Sequence, residues 1–569
     1  MKKKSLLILA LILAVAAAAV IIILTNGAKQ YTVTLIADAA DKGAAQEVKT
    51  RAGQKIELTE APSRDGYVLA GWFADEDLSD PWNLEERTVN ADVTLYAAWD
   101  RDFSAKRTPG SQEEAYEYSF YFRPAIDGIK QPYVGDTMPY YEDGVYYIYY
   151  LKEDGDSLNH SIYLATTTDF LTYREYDDPI IKASVSGGQD SWVGTGSVVK
   201  VGEQYYFFYT GHNDSETQPD KERILVAVGD SLLNFEKRPE WCIKVDSSLG
   251  QQRDFRDPQA YLDPETGNII LTVTTNQSGV ARIVKYTLSP DLQNKTYDGI
   301  IFTCPDTHFW NLECSDTFRI GDTWYLTYSA QDDTLWYASS DSQYGPYSEP
   351  VRLDAKLFYA AKHVEDGKNA YMVGWARRSE SPSSTEDVGA WAGNLIVQKL
   401  VQREDRSLAL YPVDSIAESL SVRRALRTAS DGVDLTAGVE AVYEDAFTCY
   451  ERFMIKGSFT FTNEGKFGLS FDFMNQADKK KRIEISPKDG TLALTFNDGR
   501  TPITQTAVDL KKGETYTFTY LQEGSVGTFY IDGLAALTVR IYGGTGKTVQ
   551  LFAEKNTVQF RNLCEYTRP

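Results

Sequence analysis

Three short segments carry carboxylic acids that could act together on one substrate. In chain order they are residues 133–139 (YVGDTMP), 254–259 (DFRDPQ) and 310–316 (WNLECSD). Each has an acid beside turn-forming or aromatic residues, and the candidate acids are Asp136, Asp257 and Glu313. Two carboxyl groups can cleave a glycosidic bond, because one protonates the leaving oxygen while the other attacks or activates water. The segments lie far apart in sequence, so only a fold that gathers them could use them.

A repeated strand pattern predicts such a fold. Between about residues 118 and 414, five aromatic or β-branched runs recur at intervals of roughly fifty residues, a period typical of propeller blades. The runs are 144–150, 203–209, 267–273, 321–328 and 369–375. This region is predicted to be a five-bladed β-propeller, in which an acid just before an inner strand points into the central funnel. An array of β-sandwiches would be a second possibility, although it does not predict such even spacing.

The three acidic segments resemble the marks of glycoside hydrolase family 32, which contains invertases, inulinases and levanases. The family's N-D-P-N-G, R-D-P and E-C correspond here to residues 135–139, 256–258 and 313–314. The resemblance runs from about 133 to 412, includes AWAG at 390–393 and continues into a late hairpin at 527–533. It implies an all-β chain, a five-bladed propeller followed by a C-terminal β-sandwich. It also implies a retaining hydrolase that releases terminal fructofuranosyl units from sucrose or fructan-type oligosaccharides.

The resemblance assigns a role to each acid. Asp136 falls on the nucleophile, Glu313 on the acid/base, and Asp257 on the carboxylate that holds the fructosyl hydroxyls. We expect backbone amides of the 135–137 turn to keep Asp136 ionised. We also expect Trp310, with Cys314, to raise the pKa of Glu313 by desolvation.

Further residues are expected to contact the sugar. Arg256 is expected to keep its neighbour Asp257 ionised and to reach the substrate. The family has F-S-G-S where this chain has GTGS at 194–197, so Gly194 and Thr195 would lie beside the fructosyl ring, unless the segment is a plain glycine turn. Three tryptophans could stack on sugar faces or simply pack in the core, namely Trp192, Trp310 and Trp391.

The first motif departs from the family pattern. Gly135, Thr137 and Met138 replace residues of N-D-P-N-G, and Leu151 stands where the family usually has glutamine. In the family, the side-chain amides of the two asparagines and of the glutamine contact the fructosyl unit. Their loss here leaves the identity of the substrate open. A transferase would follow if a sugar intercepted the covalent intermediate. The pattern is also compatible with a non-catalytic carbohydrate-binding surface protein, a structural adhesion protein, or an inverting pentosidase of the arabinan or xylan type on the same propeller.

The chain outside the propeller divides into three predicted parts. Residues 1–28 combine an initial lysine cluster with an apolar run, which predicts an uncleaved membrane anchor with the remainder outside a bacterial cell, although a cleaved signal peptide would share these features. Residues 31–100 resemble the internalin B-type (Listeria–Bacteroides) repeat, a small β-grasp-like unit, in their GYVLAGWF centre and closing LYAAW. Such repeats imply cell-surface contacts. Residues 415–569 alternate in the manner of a β-sandwich.

Composition excludes several classes of partner. The formal net charge of −23 disfavours nucleic acid, whereas a neutral oligo- or polysaccharide is compatible with it. Five cysteines without CxxC spacing and four histidines indicate neither a disulfide framework nor a metal site. The sequence therefore predicts no cofactor and no metal, and membrane contact only through the N-terminal segment.

Overall fold

The computed structural model describes most of the chain from residue 29 onward. The described residues are 29–37, 45–58, 61–64, 67–76, 80, 82–84, 87–101, 114–124, 133–153, 159–176, 178–184, 188–215, 220–250, 254–378, 390–473, 476–499 and 501–569. The predicted anchor, 1–28, lies outside them. Within the described residues, no helix has the length and apolar character needed to cross a bilayer.

The N-terminal unit is a four-stranded mixed sheet in the order β2-β1-β4-β3. Its strands are β1 (Gln30–Ile36), β2 (Gln46–Arg51), β3 (Tyr67–Phe73) and β4 (Val93–Arg101). Strands β1 and β4 pair in parallel, and the other pairs are antiparallel. Trp72 and Trp82 are buried in its small core with aliphatic residues from β1 and β4, so these two tryptophans are structural.

Five antiparallel sheets follow, and each is built from strands consecutive in sequence apart from one added edge strand. The first has the order β5-β9-β8-β7-β6, with β5 (Glu114–Tyr118), β6 (Thr137–Glu142), β7 (Val145–Glu153), β8 (His160–Thr167) and β9 (Thr172–Tyr176). The second contains β10 (Trp192–Val201), β11 (Gln204–His212), β12 (Glu222–Ser231) and β13 (Asn234–Ile243). The third contains β14 (Phe255–Leu262), β15 (Ile269–Gln277), β16 (Val280–Leu288) and β17 (Lys295–Thr303). The fourth contains β18 (Leu312–Ile320), β19 (Thr323–Ala330), β20 (Leu335–Ser340) and β21 (Val351–Asp354). The fifth contains β22 (Phe358–Glu365), β23 (Ala370–Arg378), β24 (Ala390–Gln402) and β25 (Leu408–Tyr411).

The contacts between these sheets close a ring. Strand β6 contacts β10, β10 contacts β14, β14 contacts β18, β18 contacts β22, and β22 returns to β6. These five strands therefore surround the axis, and the predicted five-bladed propeller is confirmed. The repeated runs seen in the sequence are the second strands of the blades, β7, β11, β15, β19 and β23, which are buried on both faces and hence strongly apolar.

A short helix, α1 (Asp414–Ser419), leads into a β-sandwich of two sheets. The first sheet has the order β26-β38-β29-β34-β35-β36, with β27 also paired to β38; its strands are β26 (Val422–Arg424), β27 (Val433–Thr436), β29 (Arg452–Phe461), β34 (Thr515–Glu523), β35 (Val526–Ile531), β36 (Ala535–Arg540) and β38 (Thr557–Thr567). The second has the order β28-β37-β30-β31-β32-β33, with β28 (Val442–Thr448), β30 (Lys466–Phe473), β31 (Gln476–Ser486), β32 (Thr491–Phe496), β33 (Thr504–Ala507) and β37 (Thr548–Glu554). Phenylalanine, leucine and isoleucine side chains from both sheets form the core between them, and the predicted C-terminal sandwich is confirmed.

Two carboxylates, the buried Asp354 and the partly buried Glu523, join the sandwich to the propeller. Asp354, at the end of β21, accepts hydrogen bonds from Thr538 Oγ1 at 2.8 Å and from Gln398 Nε2 at 3.1 Å. Glu523 of the sandwich accepts the backbone amides of Phe120 and Tyr121 at 2.8 and 2.9 Å. Because a buried carboxylate left without donors is costly, these contacts fix the two domains against each other.

Candidate active site

The candidate acids lie where the inner strands of the blades begin. Asp136 immediately precedes β6, while Asp257 and Glu313 lie inside strands β14 and β18, near their first residues. Thr195 occupies the matching position in β10, and Tyr359 does so in β22. All five blades thus contribute one side chain at the same end of the ring. The prediction that each acid lies before its strand holds for Asp136 and was wrong for the other two acids.

A recurrent β-bulge aims these side chains. The pairing register slips between Gly194 and Gly196, and again in the three following inner strands after Arg256, Glu313 and Tyr359. A bulge adds one residue to a strand, bends it and redirects its side chains, and such bulges are over-represented beside active sites. The inner strands β10, β14, β18 and β22 therefore share one local distortion, which no hydrophobic pattern in the sequence reveals.

The bulges hold three residues in the left-handed backbone region. Asp257, Cys314 and Ala360 have φ of 58°, 51° and 51°, a conformation that costs about 1–3 kcal/mol for residues other than glycine. Hydrogen bonds to the bulged amides compensate. Thr210 Oγ1 accepts the amide of Asp257 at 2.9 Å, and Asp257 Oδ2 accepts that of Cys314 at 2.7 Å. The strained backbone at two of these bulges is therefore stabilised by hydrogen bonds that involve Asp257, one through its amide and one through its carboxylate.

Asp136 is fixed by side chains from two other blades. Its Oδ2 accepts from Thr195 Oγ1 at 2.8 Å, and its Oδ1 accepts from Trp375 Nε1 at 3.0 Å. Burial, followed by the charge of Glu313, raises its pKa, whereas these two hydrogen bonds and the Lys362 charge oppose the rise. The expected donation from its own turn was wrong, because the Gly135 amide donates instead to the Leu151 carbonyl at 2.8 Å.

Glu313 lies between a cation and a phenol. Its Oε1 accepts from Arg256 at 2.8 Å, and its Oε2 accepts a short hydrogen bond from the Tyr359 hydroxyl. Burial alone would raise the pKa of Glu313, but the Arg256 charge and these hydrogen bonds outweigh burial and lower it. The expectation that Trp310 raises this pKa was therefore wrong. Trp310 is 48% exposed, and its amide donates to Gln331 Oε1 at 3.1 Å.

Asp257 is the most buried of the three acids. Burial raises its pKa to about 7; the Arg256 charge opposes this, and the charges of Glu313 and Asp136 add to it. Arg256 was expected to keep Asp257 ionised, but its guanidinium hydrogen-bonds Asp254 at 2.8 Å and Glu313 rather than Asp257. The positive charge of Arg256 lowers the pKa of Asp257, as expected, but by less than burial raises it.

A buried lysine underlies the ring. Lys362 is 1% exposed, and its ammonium donates to the Gly196 carbonyl at 2.8 Å and to Gln259 Oε1 at 3.3 Å. Its charge lowers the pKa of Asp136, and it also opposes the burial that raises the pKa of Asp316 to about 6. The positive charge of Lys362 reduces the mutual repulsion of the nearby carboxylates. Its hydrogen bond to the Gly196 carbonyl also stabilises the bulge of β10.

Aromatic rings form one wall beside Asp136. The Trp391 ring stacks on His160 with centroids 4.1 Å apart and an interplanar angle of 8°, and Trp192 meets the same imidazole edge-on at 5.5 Å. Burial lowers the pKa of His160 to about 4, so this imidazole is neutral near pH 7. A Cβ at Gly135 would lie 2.3 Å from the Trp391 ring. The glycine at this position is therefore what allows Trp391 to lie there.

Most of the predicted site residues come together. The three acids, Arg256 and Thr195 share direct contacts, Gly194 packs its backbone against Thr210, and Trp192 and Trp391 share His160. Four residues of the site were not predicted: His160, Tyr359, Lys362 and Trp375. Trp375 ends one of the five recurrent runs, and position within that run was the available signal. The other three lie in β8 and β22, where no motif marks them.

Comparisons with known proteins agree with this geometry. Residues 136–412 match the N-terminal domain of the glycosyl hydrolases family 32, and residues 31–98 match the Listeria-Bacteroides repeat domain. Among curated relatives, a fructan 1-exohydrolase of Bromus pictus is 22% identical over 412 residues, covering 65% of this chain and 64% of its own length. An acid beta-fructofuranosidase of Solanum lycopersicum is 24% identical over 344 residues, covering 53% of this chain and 52% of its own.

Solved structures share the fold. The sucrose-6-phosphate hydrolase of Lactobacillus gasseri superposes with a TM-score of 0.62 at 16% identity, covering 80% of this chain and 93% of that one. The exo-inulinase of Aspergillus awamori gives a TM-score of 0.63 at 13% identity, with 79% and 98% covered. This chain spans between about half and two thirds of the curated relatives quoted above.

Proposed function

Because residues 136–412 belong to glycosyl hydrolase family 32, we propose that this protein is a retaining glycoside hydrolase that releases terminal fructofuranosyl units from sucrose or fructan-type oligosaccharides. The observation that carries the proposal is the junction of Asp136 and Glu313. Trp375 Nε1 donates to Asp136 at 3.0 Å, the Tyr359 hydroxyl donates to Glu313, and the rings of Trp375 and Tyr359 meet edge-on with centroids 5.5 Å apart. The two acids therefore face one small space from different blades.

The proposed reaction uses these acids in two steps. Glu313 gives its proton to the departing oxygen while an Asp136 oxygen bonds to the anomeric carbon, which forms a fructosyl ester and frees the leaving alcohol. Glu313 then takes a proton from water, and that water attacks the anomeric carbon and releases Asp136. Asp257 keeps one oxygen on the Cys314 amide, and its other oxygen would accept the hydroxyls of the fructosyl ring.

Substrate binding would change the protonation state of Glu313. In the structure Arg256 holds this carboxyl and lowers its pKa, which suits the base of the second step and not the acid of the first. A sugar hydroxyl that draws the Arg256 guanidinium away would remove the largest cause of the lowering. Burial beneath the bound sugar would then raise the pKa of Glu313. Binding and proton uptake are coupled in this proposal.

The sugar pocket differs from the family pattern in one respect. Thr137 donates to the Val373 carbonyl at 2.7 Å, and Met138 and Leu151 are buried in the blade core. None of these three side chains replaces the lost amides, so the stacked Trp391 and His160 would line the fructosyl site instead. We propose that the Trp391 and His160 rings recognise the sugar by packing against the face of its ring.

The wider organisation is proposed on the same basis. The chain would comprise a membrane anchor (1–28), the surface repeat (31–100), the catalytic propeller (118–414) and the sandwich (415–569). The match to the Listeria-Bacteroides repeat supports a cell-surface location. Tethering to the cytoplasmic membrane of a bacterium rests on the composition of residues 1–28.

Product analysis tests the proposal. The purified full chain is incubated with sucrose, inulin, levan and arabinofuranosides, and Asp136→Asn and Glu313→Gln serve as matched controls. We expect fructose from the wild type, first seen by NMR as the anomer with retained configuration, and none from either variant. Arabinose released with inversion would instead favour an inverting pentosidase. Binding of glycans with no turnover by any folded form would favour a non-catalytic surface protein.

A further inference from the structure

A chain of ionisable side chains leads away from Glu313 through the third and second blades. It passes from Glu313 to Arg256, then to Glu222, His212 and Asp214. Glu222 is the first residue of β12, and His212 is the last residue of β11. Neither residue lies in the three acidic segments of the sequence, so the fold alone connects them to the candidate acid/base.

The two terminal nitrogens of the Arg256 guanidinium have different partners. Nη2 donates to Glu313 Oε1 at 2.8 Å. Nη1 donates to Asp254 Oδ1 at 2.8 Å and to Glu222 Oε2 at 3.4 Å. Because each nitrogen has its own acceptors, the Nη1 end stays held when the Nη2 end loses its contact with Glu313.

Glu222 fixes both the backbone and the side chain at this part of β14. It is buried, and its Oε2 accepts the amide of Phe255, the residue before Arg256, at 2.6 Å. Its Oε1 lies 3.3 Å from Nδ1 of His212, which is directly opposite it in the pairing of β11 with β12. An ionised carboxylate strengthens the hydrogen bonds that it accepts. Glu222 therefore anchors Arg256 from a different blade.

His212 forms the outer part of this chain. Its Nε2 lies 3.1 Å from Oδ2 of Asp214, which is exposed. The hydrogen bond with Glu222 raises the pKa of His212, burial opposes the rise, and Asp214 adds to it. The nearby Lys221 ammonium donates to the carbonyls of Asp214 and Ser215 at 2.8 and 2.6 Å. Because the pKa of His212 responds to the charge on Glu222, its titration reports on the whole chain.

We propose that Glu222 is a positioning residue, which holds the Nη1 end of Arg256 so that the Nη2 end can exchange Glu313 for a hydroxyl of the bound sugar. This inference rests on the proposed function, in which Glu313 must leave Arg256 before it protonates the leaving oxygen. Loss of the Glu222 charge would leave more of the Arg256 charge to Glu313, and the two would separate less readily. Glu222 thus acts on the reaction only through Arg256.

Titration of His212 by NMR tests the chain of contacts without any turnover. The protein has four histidines, so their ring signals can be resolved in the purified full chain, and His212→Gln assigns one of them. Glu222→Gln should lower the His212 pKa because it removes the largest cause of the rise. Glu313→Gln should also lower it, because Arg256 then neutralises Glu222 more fully. In an Arg256→Gln background, Glu313→Gln should have a much smaller effect.

A matched control changes a glutamate outside this chain. Glu236 pairs with Arg238 on an exposed part of β13, so Glu236→Gln should leave the His212 titration unchanged. The proposal is overturned if Glu222→Gln also leaves it unchanged, or if Glu313→Gln acts equally with and without Arg256. If Glu222→Gln does not fold, the Glu313→Gln and Arg256→Gln titrations decide, since both leave Glu222 in place.

Two substrates then separate proton transfer from binding. Sucrose needs a proton on its leaving oxygen, whereas β-fructofuranosyl fluoride does not. Glu222→Gln should lower kcat/KM for sucrose by about tenfold or more and lower it much less for the fluoride, because Glu313 stays engaged with Arg256. Glu222→Asp keeps the charge and should recover part of the loss on sucrose. An equal loss on both substrates, or no loss on either, would overturn the proposal.

The two measurements fail separately. Wild type that releases fructose from neither substrate, while the His212 titration responds to Glu313→Gln through Arg256, would refute the proposed function and leave the coupling of Glu222 to Arg256 standing. Wild type that cleaves both substrates without any response of His212 would overturn the role of Glu222 alone.

Discussion

Replacing Thr195 by valine isolates one hydrogen bond to the proposed nucleophile. The Thr195 hydroxyl is 2.8 Å from Asp136 Oδ2, and the residue is 1% exposed. Valine keeps the shape and removes the donor. A hydrogen bond to a charged group contributes about 1.5–3 kcal/mol, and roughly 1.4 kcal/mol corresponds to a tenfold change in an ionisation equilibrium. The ionisation constant of Asp136 should therefore fall by about tenfold or more.

The pH dependence of kcat/KM reports this change. As the proposed nucleophile, Asp136 can attack only when it is ionised, and the Thr195 hydrogen bond lowers its pKa. Thr195→Val removes that effect, so activity should be lost at higher pH as the solution is acidified, with the acid limb displaced upward by about one pH unit or more. Thr195→Ser keeps a hydroxyl and is the matched control. An acid limb that stays in place in a folded Thr195→Val enzyme would refute the reasoning.

Three further changes have definite expected results. Tyr359→Phe removes a donor that lowers the pKa of Glu313, so the basic limb of kcat/KM should move to higher pH by about one unit; an unmoved basic limb would argue against Glu313 as the acid. Asp257→Asn should abolish turnover and still raise Tm at pH 8: the folded pKa of about 7 lies above an unfolded value near ~3.9, so the wild type loses stability as the pH rises between them. The gain should vanish near pH 4, and an equal gain at both pH values would contradict the electrostatic cause. Gly135→Ala should raise KM and lower Tm because the new Cβ meets the Trp391 ring; if that collision is the cause, Gly135→Ala should lower Tm far less in a Trp391→Ala background than in the wild type.

The strand pattern was sufficient to predict the propeller, because the second strand of every blade is buried on both faces and reads as a continuous apolar run. The three acids were found because each lies beside a turn-forming residue or in a short motif. Their places at the start of inner strands then follow from the fold. These features depend on local sequence, which a single chain displays.

The environment of each acid could not be predicted in the same way. Arg256 is adjacent to Asp257 in sequence, but its guanidinium contacts Glu313 of the next blade. Tyr359 and Trp375 reach their acids from the fifth blade, more than forty residues away in sequence. Neighbours in sequence therefore predicted the wrong pKa for Glu313, because its partners are chosen by the closure of the ring.

The loss of the family's first asparagine also became intelligible only in the structure. In the sequence, Gly135 stands where the family has an asparagine side-chain amide. In the structure, the absence of a side chain at Gly135 leaves the space that the Trp391 ring occupies. His160, which no motif marks, completes that stack. We propose that the aromatic wall formed by Trp391 and His160 takes the place of the polar contacts that the family pattern supplies.

Trapping the covalent intermediate tests the central claim most directly. Glu313→Gln is mixed with β-fructofuranosyl fluoride, whose leaving group needs no proton, so the first step proceeds while the second lacks its base. Acid quenching and peptide mass spectrometry should then find one added fructosyl unit on the peptide that contains Asp136, and Asp136→Asn combined with Glu313→Gln should carry none. An adduct on another residue, or hydrolysis of the fluoride with inversion and without any adduct, would contradict the account.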